Sequence, residues 1–114
     1  MKKIIISMIA LLFVVFGGCT KDEKTTVANE KIYVIGTNAE YPPYEYLENN
    51  KVVGFDADII EELSKRVGFN YKWSNMNFDG LISALQAKKV DMIIAGMTVT
   101  EERKNFINFS TPYI

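Results

Sequence analysis

The segment "IIAGMTVTEERKNFINFSTPY", residues 93–113, contains a positively charged residue, Arg103, at the start of a predicted helix, where positive charge is unfavourable. Thr100 is a good N-cap, so Arg103 falls in the first turn of a predicted short helix. The positive end of the helix dipole lies there, which suits Glu101 and Glu102 but not a guanidinium. Local conflicts of this kind are typical of functional sites, and arginine holds carboxylates through two parallel hydrogen bonds. Arg103 is therefore a candidate anion-binding residue.

The elements that must position Arg103 alternate between strands and helices along the chain. Short apolar runs predict strands, and apolar residues at helical spacing predict helices. Alternation of this kind is typical of an α/β fold with a mainly parallel βαβαβ sheet. Asn49 and Asn50 predict a hairpin turn, and Gly68 a helix end. Strands are predicted at 32–37, 70–73 and 91–96, with helices beginning at Asp56, Asp79 and Thr100.

Open α/β sheets bind ligands beyond the carboxyl ends of their strands. The three loops expected there contain two aromatic rings, a hydroxyl, an amide, a glycine backbone and a guanidinium, but no pair of nucleophile and base. Aromatic rings provide flat apolar walls, while the guanidinium and helix N–H groups suit a carboxylate. A small zwitterion fits this set. The candidate residues are Asn38, Tyr41, Phe78, Gly96, Thr98 and Arg103.

Composition excludes several other classes of protein. The 114 residues allow one small domain at most, with 48% hydrophobic and 24% charged residues, which are ordinary globular values. The net charge of −1 does not resemble the basic footprint of a nucleic-acid-binding protein. The sequence has no histidine and one cysteine, which excludes histidine-based catalysis and intrachain disulfides. We expect no metal and no cofactor.

The N-terminal segment is predicted to be a targeting signal. Lys2 and Lys3 precede the apolar run "IIISMIALLFVVF", which is shorter than the roughly 20 residues of a membrane span. The small residues and Cys19 that follow resemble a bacterial lipoprotein signal, which implies a signal peptide over residues 1–18 and lipidation of Cys19. A polar tether then occupies residues 19–31. An uncleaved anchor and a simple signal with an incidental cysteine are the alternatives.

Three longer motifs occur together from about residue 32 onward: "GTNAEYPPYEY", "VGFDADIIEEL" and "MNFDGLISALQAKKVDMIIAGMTVTEERKNFINFSTPY". In this order and spacing they resemble the family 3 extracellular solute-binding proteins, the polar amino-acid receptors of ABC importers. The resemblance implies a type II periplasmic-binding-protein-like fold. Residues 32–114 would then form an incomplete first lobe, because members of the family have two lobes and roughly twice this length.

The resemblance also implies how the amino-acid backbone of a ligand would be held. Arg103 would grip the α-carboxylate, and Thr98 would help to hold both α-groups. The backbone at Gly96, with Ala95 adjacent, would accept hydrogen bonds from the α-ammonium group.

Three further residues would surround the ligand side chain. Tyr41 and Phe78 would sandwich it. Asn38 occupies a position where members of the family often have Asp, and an amide there weakens the case for a strictly cationic ligand.

The function implied is that of the substrate-binding component of an amino-acid ABC importer. The expected partners are a free polar amino acid, the permease subunits and, through the lipid anchor, the membrane; the protein would be a monomer on the extracytoplasmic face. A single lobe is expected to bind weakly. The alternatives are a sensor domain of a membrane receptor and a cyclohexadienyl dehydratase-like enzyme. For the enzyme, Glu40 is the only candidate catalytic acid or base in the loops, and it is expected to face solvent.

Overall fold

The computed structural model describes residues 30–114, so the predicted signal peptide, Cys19 and nearly all of the predicted tether lie outside the described residues. Three parallel strands, β1 (Ile32–Thr37), β5 (Asn70–Asn75) and β6 (Met92–Ile93), form the main sheet in the order β5–β1–β6. The first strand is therefore central, as expected when helical crossovers link parallel strands. The α/β class is confirmed. The helices that accompany these strands are α1 (Phe55–Val67) and α2 (Leu81–Gln86).

A second, antiparallel sheet interrupts the crossover between β1 and α1. It consists of β2 (Glu40–Tyr41), β3 (Glu45–Glu48) and β4 (Lys51–Val53), in that order. Asn49 and Asn50 both adopt positive φ angles, of 50° and 61°, at the tip between β3 and β4. Two such residues are typical of a tight hairpin turn, so the predicted hairpin is confirmed.

The core lies between the main sheet and α1. Ile35 of β1, Ile60 of α1 and Ile94 after β6 form its buried centre. Aromatic side chains of β1 and β5 pack around that centre, as the period of two in a strand allows. On the other side of β1, Leu81 of α2 is fully buried close to Gly36. The two helices therefore keep the carboxyl end of β1 in a fixed position between its neighbours.

Two helix starts differ from the predictions. Helix α1 begins at Phe55 after Gly54, and Asp56 is not its N-cap, because its carboxylate is buried and bonded elsewhere. Asp79 does not cap α2 either. Asn77 accepts a hydrogen bond from the Asp79 amide at 3.1 Å, and a 3₁₀ turn, Phe78–Gly80, precedes α2. An amide oxygen two residues upstream thus satisfies that free N–H group.

The third predicted strand is shorter than expected. Only Met92 and Ile93 pair with β1, whereas the prediction extended to Gly96. Gly96 has a φ of 55°, so the backbone turns away from the sheet direction there. Beyond this turn Thr100 caps α3 (Glu101–Lys104), as predicted, by accepting a hydrogen bond from the Arg103 amide at 3.1 Å. The predicted end of α1 at Gly68 is also confirmed, because Gly68 caps the helix in the left-handed (αL) conformation.

Candidate functional site

Tyr41 and Gly96 come from different loops and meet beyond the carboxyl ends of β1 and β6. A Cβ atom on Gly96 would lie 3.2 Å from Cε1 of Tyr41, which is tighter than ordinary van der Waals contact. The positive φ of Gly96 also disfavours any residue with a side chain. The absence of a side chain at this position therefore lets the aromatic ring approach the backbone.

The Tyr41 ring is supported on one side and accessible to solvent. It stacks on Tyr44 with ring centroids 5.3 Å apart and planes 16° from parallel. Tyr44 in turn meets Phe55 of α1 in an edge contact at 6.2 Å. Tyr41 nevertheless remains 54% exposed, so a small molecule can reach it. Tyr44 therefore supports the Tyr41 ring.

The Arg103 guanidinium is positioned by two neighbours. Its Nη1 donates a hydrogen bond to the carbonyl oxygen of Thr98 at 2.7 Å, and its central carbon lies 5.4 Å from the centre of the Phe78 ring. The second distance is within the range of a cation–π interaction. A guanidinium has five N–H donors, and the described residues occupy only one of them here. The remaining donors are available for a carboxylate.

The dipole conflict that first singled out Arg103 is weaker in the structure than in the sequence. Helix α3 has four residues, so Arg103 lies in its last turn as well as its first. A helix this short has no separate positive and negative ends for a side chain to distinguish. The candidacy of Arg103 therefore depends on its contacts with Thr98 and Phe78 and not on the helix dipole.

The remaining predicted site residues are placed less specifically. Thr98 is exposed and contacts Arg103 through its carbonyl group, while Ala95 is 4% exposed and lies next to Gly96. Asn38 is half-buried, and its carbonyl oxygen accepts a hydrogen bond from the Glu40 amide at 2.8 Å. Its side-chain amide forms no hydrogen bond with another described residue.

The two predicted aromatic walls do not contact each other within residues 30–114. Tyr41 belongs to a pair with Tyr44, whereas Phe78 lies beside Arg103. The structure thus brings the candidates together as two groups, Tyr41 with Gly96 and Phe78 with Arg103 and Thr98. Glu40 is exposed, as expected.

Two acidic residues next to this site, Asp56 and Glu45, are not among the predicted site residues. Asp56 accepts a hydrogen bond from the Gly96 amide at 2.9 Å through Oδ2, and one from the Tyr113 hydroxyl at 2.9 Å through Oδ1. Glu45 is 1% exposed, and burial together with the nearby Asp56 raises the pKa of Glu45 to about 8. The available signal was the position of Glu45 between two aromatic residues, Tyr44 and Tyr46, shortly before the predicted hairpin turn.

An apolar groove of about 930 Å³ extends from this region along the open edge of β6. Gly96 and Thr98 lie along it, and Ile59, Leu63 and Ile107 are among its other walls. The described part of the chain, residues 30–114, contains no group of three or more acidic, cysteine or histidine side chains that could hold a metal ion. Within the same range no helix has both the length and the apolar character needed to cross a membrane.

The sequence was compared with protein families and with curated proteins. The model of the bacterial extracellular solute-binding proteins, family 3, matches residues 33–114. The chain is also similar to the arginine-binding extracellular protein ArtP of Bacillus subtilis (strain 168), with 35% identity over 114 residues. That alignment covers 99% of this chain and 45% of ArtP.

Solved structures with the same fold include two arginine-binding proteins. The arginine-, lysine-, histidine-binding protein ArtJ of Geobacillus stearothermophilus superposes with a TM-score of 0.70 at 44% identity, over 74% of this chain and 36% of ArtJ. A Phe-to-Trp mutant of domain 1 of TmArgBP, the ArgBP of T. maritima, in its arginine-bound form, gives a TM-score of 0.69 at 45% identity. That match covers 73% of this chain and 65% of the isolated domain.

The chain spans less than half the length of the full-length relatives named here. The family match, in contrast, covers all but the first three described residues and includes every predicted ligand-binding residue. The chain belongs to the bacterial extracellular solute-binding proteins, family 3.

Proposed function

We propose that the protein is the substrate-binding component of an amino-acid ABC importer and captures a polar amino acid outside the cell membrane. The main observation behind this proposal is the position of the Arg103 guanidinium. It contacts the Thr98 carbonyl and the Phe78 ring and keeps N–H donors that no described residue occupies. These donors suit the α-carboxylate of an amino acid. Gly96 and the accessible ring of Tyr41 lie in the adjoining loops and suit its other groups.

A basic amino acid is the first ligand to test. ArtP is named for arginine, and ArtJ for arginine, lysine and histidine. Asn38 is uncharged, so we propose that aromatic contacts and hydrogen bonds contribute more to side-chain recognition here than a direct ion pair at this position. We expected a single lobe to bind only weakly. The solved structure of domain 1 of TmArgBP in its arginine-bound form argues against that expectation.

The proposed site binds and does not catalyse. ArtP and ArtJ are both described as binding proteins. Glu40, the loop residue considered as a catalytic acid or base, is exposed, whereas a general acid or base must lie within hydrogen-bond reach of the reacting group. The proposed partners are the free amino acid and the permease subunits, with the protein acting as a monomer.

A titration of the purified chain tests the function. The panel consists of arginine, lysine, histidine, glutamine and leucine, each with its α-carboxamide, and binding is followed by calorimetry and by amide chemical shifts. We expect at least one polar amino acid to bind saturably. Its carboxamide should bind about tenfold or more weakly, since a hydrogen bond to a charged group contributes about 1.5–3 kcal/mol. Equal binding of acid and carboxamide, or no binding of any polar member, would contradict the proposal.

The proposed location is the extracytoplasmic face of the cell membrane, with Cys19 carrying the lipid. In a bacterial host supplied with labelled fatty acid, we expect the native chain to incorporate label and sediment with membranes. Cys19→Ser should lose the label and leave the membrane fraction, because a hydroxyl cannot form the thioether link. Thr20→Ser, a neighbouring change that keeps the thiol, is the control. Unchanged labelling of Cys19→Ser would show that the anchor lies elsewhere.

A further inference from the structure

We propose that Glu45 and Asp56 form a buried acid pair that shares one proton and positions the ligand loop at Gly96 and the C-terminal segment at Tyr113. This inference rests on the proposed function, because the loop it positions is the one assigned to the amino acid. Asp56 acts as a positioning residue through the Gly96 amide, and Glu45 acts through Asp56.

The two carboxyl groups are brought together by backbone hydrogen bonds between the two residues that precede β3 and the start of α1. The Phe55 amide donates to the Pro43 carbonyl at 3.0 Å, and the Asp56 amide donates to the Tyr44 carbonyl at 2.8 Å. Glu45 then lies beside Asp56, with 1% and 0% of their surfaces exposed. Buried carboxyl groups are rare unless they are paired or hydrogen-bonded, so this arrangement requires a reason.

Asp56 uses both of its oxygens as acceptors. One accepts from the Gly96 amide and the other from the Tyr113 hydroxyl, each at 2.9 Å. These partners lie 40 and 57 residues away in sequence, in the ligand loop and near the C-terminus. A single side chain thus fixes the backbone of the loop relative to α1 and to the segment that follows α3.

No hydrogen-bond donor among the described residues contacts the carboxyl group of Glu45. Neither of its carboxyl oxygens has a hydrogen-bond partner there, and Oε1 lies 3.9 Å from the position that a Cβ on Gly96 would occupy. The ion pairs found in residues 30–114 involve neither Glu45 nor Asp56. Two ionised carboxylates in this setting would repel each other with no cation to offset them. A proton on Glu45 supplies the missing donor, directed at Asp56.

Three tyrosines lie near this pair, and the ligand loop contributes no titratable group. Tyr113 donates to Asp56, and Tyr44 lies near Tyr113. Tyr41 pairs with Glu45 across β2 and β3. Burial and the hydrogen bond to Asp56 raise the pKa of the Tyr113 hydroxyl above its ordinary value, so it stays a donor throughout the neutral range. Burial, and then Asp56, raise the pKa of Glu45 to about 8. Glu45 is therefore the group whose charge changes near neutral pH.

Ionisation of Glu45 places a second negative charge against Asp56 and disturbs its bonds to Gly96 and Tyr113. The folded pKa of Glu45 lies above its ordinary value of 4.5. Its contribution to stability is thus fully present below about pH 4.5 and is lost as the pH rises through about 8. Ligand affinity should fall over the upper part of the same range, because the loop loses its fixed position.

The test compares four purified full-length proteins: the native chain, Glu45→Gln, Asp56→Asn and the control Glu48→Gln. Glu48 is an exposed acid on the same strand as Glu45. Without ligand, nuclear magnetic resonance follows the Glu45 carboxyl carbon and the Gly96 amide from pH 4 to 10, and melting follows stability. We expect the native carboxyl and the Gly96 amide to titrate together with a midpoint near 8. Glutamine mimics protonated Glu45, so Glu45→Gln should abolish the Gly96 titration and should melt higher than native at pH 9. Glu48→Gln should behave as native.

With the best ligand of the panel, Asp56→Asn should bind about 10- to 100-fold more weakly, because its side chain cannot accept both bonds as a carboxylate does. A Glu45 carboxyl that titrates near pH 4.5 would overturn the inference. So would a Gly96 amide shift that does not change as Glu45 titrates. Both measurements need only the native chain. A Gly96 amide that follows Glu45 in a chain that binds no amino acid would overturn the proposed function and uphold the inference.

Discussion

Arg103→Ala is expected to weaken amino-acid binding at least about 30-fold. Removing one partner of a hydrogen-bonded charge pair costs about 2–5 kcal/mol when the pair is shielded from water, and each 1.4 kcal/mol is a factor of ten. Arg103 is half-buried and lies against the Phe78 ring, so part of that shielding is already present. Stability should change little, because the side chain makes one hydrogen bond, to Thr98.

Two further variants make the Arg103 experiment specific. Arg103→Lys keeps the charge but lacks the planar fork that holds a carboxylate with two bonds, so it should also bind weakly. Arg66→Ala removes the chain's other arginine, which pairs with Glu62 on the exposed face of α1, and should bind as native protein does. Calorimetry on all four proteins measures the effect. Native affinity in Arg103→Ala would show that the carboxylate is held elsewhere.

Gly54→Ala is expected to cause the largest loss of stability of the variants proposed. Gly54 has a φ of 119°, and a Cβ there would lie 2.5 Å from the Tyr44 carbonyl oxygen and 2.8 Å from that of Pro43. Backbone strain of this kind costs about 1–3 kcal/mol. The shift needed to relieve the clash would also break the two backbone hydrogen bonds to these carbonyls, each contributing about 0.5–1.5 kcal/mol.

Melting and urea unfolding of Gly54→Ala measure this cost. A loss of about 3–5 kcal/mol is a large part of the 5–15 kcal/mol of a typical domain. It corresponds to a melting temperature lower by roughly 12–40 °C, at about 4–8 °C per kcal/mol for a domain of this size. The control is Gly80→Ala, where a Cβ meets nothing within 4 Å and φ is not positive. Equal melting of the two variants would show that the hairpin and α1 are not held together at Gly54.

Much of the fold and part of the candidate site were predictable from the sequence because they depend on local patterns. The first strand was predicted at the residues where it occurs, as were the hairpin turn at Asn49 and Asn50 and the cap at Thr100. Parallel topology then places the loops after β1, β5 and β6 at one edge, whatever their side chains are. That topological rule is why Tyr41 could be expected near Gly96, and Phe78 near Arg103.

Predictions that depended on how far an element extends were less successful. The conflict of Arg103 with a helix dipole assumed a helix long enough to have two distinct ends, and α3 has four residues. The third strand was extended to Gly96, but that glycine turns the chain with a φ of 55°. Apolar periodicity shows that an element exists; its ends depend on which N–H and C=O groups find partners.

The sequence by itself determined the α/β class, the order of the elements and the loops that carry the candidate ligand-binding residues. Only the tertiary structure decided the environment of Asp56 and Glu45. Asp56 looked like a helix cap, but folding buries its carboxylate against an amide 40 residues away and a hydroxyl 57 residues away. Glu45 was not among the residues that the sequence singled out, yet it is 1% exposed and lies beside another acid. The protonation of a carboxyl group depends on burial and on neighbouring charges, and these come from contacts between distant segments that no local pattern of residues records.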